Sequence, residues 1–496
     1  MKAFTQIDWK TGLIGERGVG IMCDLAPGEA NPRSLLTMSS TSDAFLSFPA
    51  GFVWGSATSS YQIEGAVDTG GRGPSIWDTF SAEDGRISDG STGAVACDHY
   101  NRYIEDVALM KKLGLHAYRF SIAWPRVLPT GRGVVNGEGL DFYDRLVDEL
   151  LGAGITPMPT LYHWDLPQAL EDQNGWVSRD TALAFGDYVE VCVNRLGDRI
   201  DTWTTLNEPF VSANHGYLTG EHAPGRVSTA DSMAAAHHLM LGHGLAGERI
   251  RSIAPDARLA IVLNFTPVEV FTNEPADVEL AMHTENLENR WYIDPLAGRG
   301  YPTATADYCE WDRSEVQAGD FDLISAPIDL MGVNYYTRTL VGADELPADT
   351  PQNTMGWELH PPTLGRLLRW LRDEYDFPSY MITENGCPMP DDEREGGQII
   401  DEDRLAFVRD HLTEVHSAIE DDCPIEGYLV WSLFDNFEWA WGYGPTFGIV
   451  EVDYDTLERR PKKSADWFSQ AAADNGFALP AVASTYKPWV SYTPTW

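Results

Sequence analysis

Residues 202–209 read T-W-T-T-L-N-E-P, a β-branched, aromatic and apolar run from Thr202 to Leu206 that stops at two polar groups, Asn207 and Glu208, and a proline. Such a run reads as a buried strand, and the Asn-Glu pair at its end does not suit a core. The pattern recurs. Strand-like runs lie at 52–56, 117–122, 156–162, 202–206, 259–264, 330–334, 380–383 and 427–432, eight in all. Between them stand amphipathic helical patterns, such as 103–113, where Ile104, Val107, Ala108 and Met110 share a face, and 405–419. Eight βα repeats predict an α/β fold: a single (β/α)₈ TIM barrel with loop insertions at the C-terminal face of the strands. A doubly wound open sheet shows the same alternation and is the structural alternative.

Working outward, residues 1–45 show no sustained period and are rich in Gly, Ser and Thr, which predicts a flexible N-terminal extension with Met38 as an alternative start. The barrel is expected over 46–475, with an insertion above its mouth at 335–379 and a Pro-rich, aromatic tail at 476–496.

The 496 residues carry 75 acidic and 35 basic groups, a formal charge of −40, with 43% hydrophobic residues. This composition is globular, and so negative a surface repels nucleic-acid phosphates and anionic membranes, so neither is expected as a partner. Lysine occurs only at Lys2, Lys10, Lys111, Lys112, Lys462, Lys463 and Lys487. An acidic, lysine-poor surface suits concentrated salt, where a Debye length of about 3 Å at 1 M relieves self-repulsion. An ordinary acidic protein from a high-GC genome has the same composition. The six cysteines are widely spaced without a C-x-x-C pair, which predicts reduced thiols and a cytoplasmic location. Neither a signal-peptide pattern nor a long apolar window is present, and a homo-oligomer is left open.

Polar and aromatic residues unsuited to a core follow most of the strands: Gln62, His163, Trp164, Asn207, Glu208, Asn334, Tyr336, Glu384, Asn385, Trp431, Glu438 and Trp439. In a parallel barrel these strand ends open onto one face, so positions far apart in sequence converge on one pocket. Glu208 in T-L-N-E-P and Glu384 in I-T-E-N-G stand out, because paired carboxylates can cleave glycosidic bonds. A lone Glu more often caps a helix or makes an ion pair; the flanking Asn207 and Asn385 and the aromatic company favour chemistry here. Other signals carry less. Gly131, Gly133 and Gly137 form no dinucleotide fingerprint, and His237, His238 and His243 lack the H-E-x-x-H spacing and read as helix surface or packing. No metal or organic cofactor is implied.

Seven stretches now stand in order: F-V-W-G-S-A-T-S-S-Y-Q-I-E-G from 52, Y-R-F-S-I-A-W-P-R from 118, T-L-Y-H-W-D-L-P from 160, T-L-N-E-P from 205, G-V-N-Y-Y from 332, I-T-E-N-G from 382 and W-S-L-F-D-N-F-E-W from 431. Together they resemble glycoside hydrolase family 1, the β-glucosidases and their relatives, over residues 48–470. The resemblance implies a retaining β-glycosidase acting on small glycosides. Glu384 would be the nucleophile and Glu208 the acid and base, about 5 to 5.5 Å apart. Arg119, Tyr336 and Asn334 would join them in the catalytic set, with Arg119 and the Tyr336 hydroxyl stabilising the Glu384 charge. That charge would in turn raise the Glu208 pKa.

By the same resemblance, Gln62, His163, Trp164, Asn207, Glu438, Trp439 and Phe447 would bind sugar, Asn207 at the 2-hydroxyl, over an aromatic floor at Trp431. Glu438 in N-F-E-W would repel a 6-phosphate and favour neutral gluco-, galacto- or fucosides, and a Glu at 208 argues against myrosinase-type relatives. Phe210 replaces the Trp many relatives carry after N-E-P, so the leaving-group side is expected to differ. A transglycosylase and a non-catalytic sugar-binding protein are the alternative readings.

Overall fold

The computed structural model describes residues 45–480 apart from 344, 345 and 349, together with two short paired strands at 7–8 and 13–14. Apart from those two strands, the expected N-terminal extension up to residue 44, its Met38 start and most of the tail lie outside the described residues.

Eight strands close into a parallel barrel in sequence order: β1 (Val53–Ala57), β2 (Ala117–Ser121), β3 (Thr156–Tyr162), β4 (Thr202–Asn207), β5 (Arg258–Asn264), β6 (Leu330–Asn334), β7 (Tyr380–Asn385) and β8 (Ile425–Trp431), with β8 pairing back onto β1. The open-sheet alternative is thereby excluded. Ala57, Ala117, Met158, Ala260, Leu330, Met381 and Leu429 pack together in the lumen, small residues beside larger ones, so the interior is a packed core. Outside it, helices lay apolar stripes on the strands. In α1 (Gly137–Ala153), Leu140, Phe142, Tyr143, Leu146, Val147 and Leu150 are buried, and Gly154 ends the helix at φ 81°, a left-handed conformation that glycine adopts without strain.

Two expectations are corrected. The interval 335–379 is not all insertion: α2 (Pro361–Glu374) is a regular barrel helix that buries Leu364, Leu367, Leu368 and Leu371 and packs on α3 (Glu402–Glu420). Its i, i+3, i+4, i+7 apolar spacing was hidden beside a long irregular loop. At the other end, Gly476–Ala478 pairs antiparallel with Phe45–Ser47, so the folded body runs past the expected boundary at 475.

The strands that carry the site are irregular where they reach it. Register shifts fall between Thr204 and Asn207 in β4, between Val333 and Asn334 where β6 meets β7, and between Ile382 and Asn385 in β7. Such irregularities re-aim side chains and recur beside active sites. Among the described residues no helix is long and apolar enough to cross a membrane. The five described cysteines, Cys97, Cys192, Cys309, Cys387 and Cys423, are free and buried.

Candidate active site

Glu384, the penultimate residue of β7, is 3% exposed and Glu208, directly after β4, 5%, and the two are held differently. Arg119 in the middle of β2, wholly buried, donates from Nη1 to Glu384 Oε1 at 2.6 Å, and the Tyr336 hydroxyl donates to Oε2 at 2.6 Å. Glu208 receives instead the neutral Asn334 amide, Nδ2 to Oε1 at 2.7 Å. Thr383 fixes that amide by donating to Asn334 Oδ1 at 2.7 Å. A guanidinium and a phenol favour the ionised form of Glu384, and nothing comparable does so for Glu208.

The protonation pattern follows. Burial, reinforced by the Glu384 charge, pushes Glu208 up to about 8. Burial also raises Glu384, against which Arg119 and Tyr336 pull downward. The shared negative charge therefore settles on Glu384 and the proton on Glu208. Glu208 sits at φ 46°, ψ 67°, a left-handed conformation that strains a residue with a side chain by about 1–3 kcal/mol and that starts the helix Pro209–Tyr217. Strain of this kind gathers where a side chain must be aimed.

Around the pair, Arg119 Nε donates to Thr160 Oγ1 at 3.0 Å and its Nη2 to Asn207 Oδ1 at 2.7 Å. With Asn334 Nδ2 also on that oxygen at 3.1 Å, the Asn207 amide has only one orientation, so its Nδ2 donates to His163 Nε2 at 3.0 Å. Burial, with Arg119 close by, holds the His163 pKa well below its usual value. The neutral ring therefore carries its proton on Nδ1, which has no partner among the described residues. The His163 ring lies 5.8 Å from that of Trp431 and 6.0 Å from that of Trp439, nearly parallel to both. Gln62 Nε2 donates to Asn436 Oδ1 and the Phe437 carbonyl, each at 2.9 Å, and reaches Glu438 Oε2 at 3.4 Å. Burial, then the Glu384 charge, raises Glu438 to about 8.

The barrel thus gathers two unlike carboxylates, Asn207, His163, Gln62, Glu438 and two tryptophans into one buried group at the strand ends. Glycosyl hydrolase family 1 is the family whose model matches, over residues 45–477. The chain belongs to that family. It is 43% identical over 445 residues to β-glucosidase A of Acetivibrio thermocellus, covering 87% of this chain and 99% of the relative. It is also 43% identical over 462 residues to a bifunctional β-D-glucosidase/β-D-fucosidase of Bifidobacterium breve, covering 86% and 98%. The family 1 β-glucosidase structure from Thermotoga maritima superposes with a TM-score of 0.84 at 41% identity, covering 88% of this chain and all of the other.

Within this glycoside hydrolase the remaining expected residues take distinct places. Trp164 packs behind Trp439, ring centroids 4.5 Å apart, and donates from Nε1 to the Asn207 carbonyl at 2.9 Å. Phe447 and Tyr336 meet edge to face at 6.0 Å. Asn385 turns away from the pocket: it donates to the Tyr335 carbonyl at 2.6 Å and accepts from Tyr428 at 2.6 Å, so it ties β7 to its neighbours. Phe210 packs on Tyr292 and His215 with centroids 6.1 and 6.0 Å away.

Sequence reasoning missed Thr160, Thr383 and Trp357. The two threonines sit inside the motifs already read, one residue type among many in a strand. Trp357 joins the Tyr336–Phe447 group, 5.8 and 6.2 Å from those rings, its backbone N–H held at 3.0 Å by Asn353 Oδ1. Nothing periodic marked it. His237, His238 and His243 are packing residues of the helix Thr229–Ile253, bonded to Tyr301 and Asp320, to the Trp176 carbonyl and to Thr205. Among the described residues no group of three or more His, Cys, Asp or Glu is arranged to hold a metal.

Proposed function

We propose that this family 1 chain is a retaining β-glucosidase that removes terminal, non-reducing β-linked glucose from small neutral glycosides. The observation that carries the reading is the unequal support of the two buried carboxylates: Arg119 and Tyr336 on Glu384, an amide alone on Glu208. In the first step a Glu384 oxygen bonds the anomeric carbon while the bond to the leaving oxygen breaks and Glu208 gives that oxygen its proton. The glycosyl ester removes the Glu384 charge, which lowers the Glu208 pKa. Glu208, now a carboxylate, takes a proton from water as the water oxygen bonds the anomeric carbon, and Glu384 leaves with its electrons.

Asn207, Gln62, Glu438, Trp439 and the free Nδ1–H of His163 supply hydroxyl contacts, with Trp431 beneath the ring. Glu438, with its pKa raised to about 8, offers a phosphate no cationic partner, which disfavours a phosphorylated sugar. The relative that also acts on fucosides extends the expected range to sugars lacking a 6-hydroxyl. A cytoplasmic location and an adaptation to salt belong to the same reading, supported by free buried cysteines and the −40 charge. The test is a panel of aryl β-glycosides and β-linked disaccharides with wild type and Glu384→Gln. Turnover of the glucosides with retained anomeric configuration is expected, and an inert wild type would end the proposal.

A further inference from the structure

Glu438 and Trp439 turn into the pocket, and two residues further on Trp441 does not: its side chain is 48% exposed. It makes no ring contact among the described residues, although its neighbours form a dense aromatic group in which Trp439 lies 4.6 Å from Trp77. The backbone beneath it is tightly held. Trp439–Trp441 is a 3₁₀ turn closed by Trp441 N–H to the Glu438 carbonyl at 2.9 Å and Glu438 N–H to the Gly442 carbonyl at 2.7 Å. The loop after β1 clamps it from the other side, with Ser88 N–H on the Ala440 carbonyl at 2.9 Å and Tyr443 N–H on Asp89 Oδ2 at 2.8 Å. Asp89 comes so close that a Cβ on Gly442 would lie 2.0 Å from its Oδ1. The Asp89 side chain is exposed, and hydrogen bonds from Ser91 and the Tyr443 N–H hold its pKa below the usual carboxylate value. An exposed indole and an ionised carboxylate thus belong to two segments bonded to each other, the indole's next in chain to the pocket residues Glu438 and Trp439.

That pairing is the chemistry of a sugar subsite: the aromatic face covers C–H groups, and the carboxylate accepts from hydroxyls. The pocket decides which sugar reaches it. Gln62 is wholly buried and Glu438 only 9% exposed, so the glycone end is closed and any further unit of the substrate leaves through the mouth, on the leaving-group side. We infer that Trp441 and Asp89 form an outer subsite for a β-linked oligosaccharide, engaging a leaving-group sugar beyond the first. The inference rests on the glucosidase reading and adds a chain-length preference to it.

The experiment compares kcat/KM of wild type, Trp441→Ala and Trp441→Phe on an aryl β-glucoside and on β-1,4-linked glucose di-, tri- and tetrasaccharides. Trp441→Ala should leave the aryl glucoside unchanged, which also reports a sound fold, and lose about three- to tenfold on the tri- and tetrasaccharide relative to the aryl substrate. Trp441→Phe, which keeps a stacking face, should recover most of that loss. A flat response across chain lengths, or an equal loss on the aryl glucoside, would overturn the subsite while leaving the glucosidase reading intact. Only an inactive wild type would remove both.

Discussion

Replacing Glu208 by Gln should stabilise the protein by an amount that grows from about pH 4.5 and levels off above about pH 8. The carboxyl titrates near 4.5 in an open chain and near 8 in the fold, where burial and then the Glu384 charge oppose its ionisation. Between those values the folded chain binds a proton that the unfolded chain has lost, so stability falls as pH rises, and it stays reduced above pH 8. The interval from 4.5 to about 8 amounts to about 5 kcal/mol at about 1.4 kcal/mol per pH unit. A glutamine keeps the oxygen that accepts from Asn334 Nδ2 and has no proton to lose. For a fold of roughly 430 residues, with an unfolding entropy near 2.1 cal/mol/K each, this difference is worth about 5 °C in Tm. The assay is thermal unfolding of both proteins at one scan rate at pH 5 and pH 9. The Tm advantage of Glu208→Gln should widen by about 5 °C between the two, and Glu438, present in both, cancels. Parallel Tm curves would refute the reasoning, because the acid would then not be held protonated by its surroundings.

Other outcomes follow from the same geometry. Glu384→Ala should lose several orders of magnitude in turnover on every glucoside, whereas Glu208→Ala should keep a rapid first step with an activated phenol, seen as a burst of phenol in stopped flow; equal loss in both contradicts the roles. Tyr336→Phe removes one donor from Glu384 Oε2 and should lower kcat by about 10- to 100-fold, while raising the pKa of the acid limb of the pH profile. Gly386→Ala would place a Cβ 1.6 Å from the Trp431 carbonyl oxygen, so little soluble enzyme is expected, and an unchanged melting temperature would contradict the contact between β7 and β8. Molar NaCl should raise Tm well above its value in dilute buffer if repulsion among the surface carboxylates is the main destabilising field; no gain would leave the acidic surface without that role.

The eight strands were legible because burial on both faces imposes near-continuous apolar runs, and β3 and β6 were read with the same ends as observed. The carboxylates were legible too, since a polar pair at the end of such a run has no place in a core. Helix α2 was not, because its apolar stripe adjoins a long loop without period and the two merge in a linear reading. Trp357 and Trp441 were missed for a related reason: an aromatic residue in a loop looks the same whether it packs inward or faces solvent.

The order of apolar and polar residues determined eight βα units, the strand ends at which polar groups gather and the two glutamates among them, while closure of the sheet into a barrel was decided by the pairing of β8 with β1. The family resemblance named which glutamate keeps its proton, and the tertiary structure supplied the physical reason. That reason depends on Arg119 and Tyr336 arriving from β2 and the loop after β6, and on Asn334 arriving from β6, to meet carboxyls near the end of β7 and directly after β4. Electrostatic energy depends on distance and burial, and neither is written along the chain until the barrel closes.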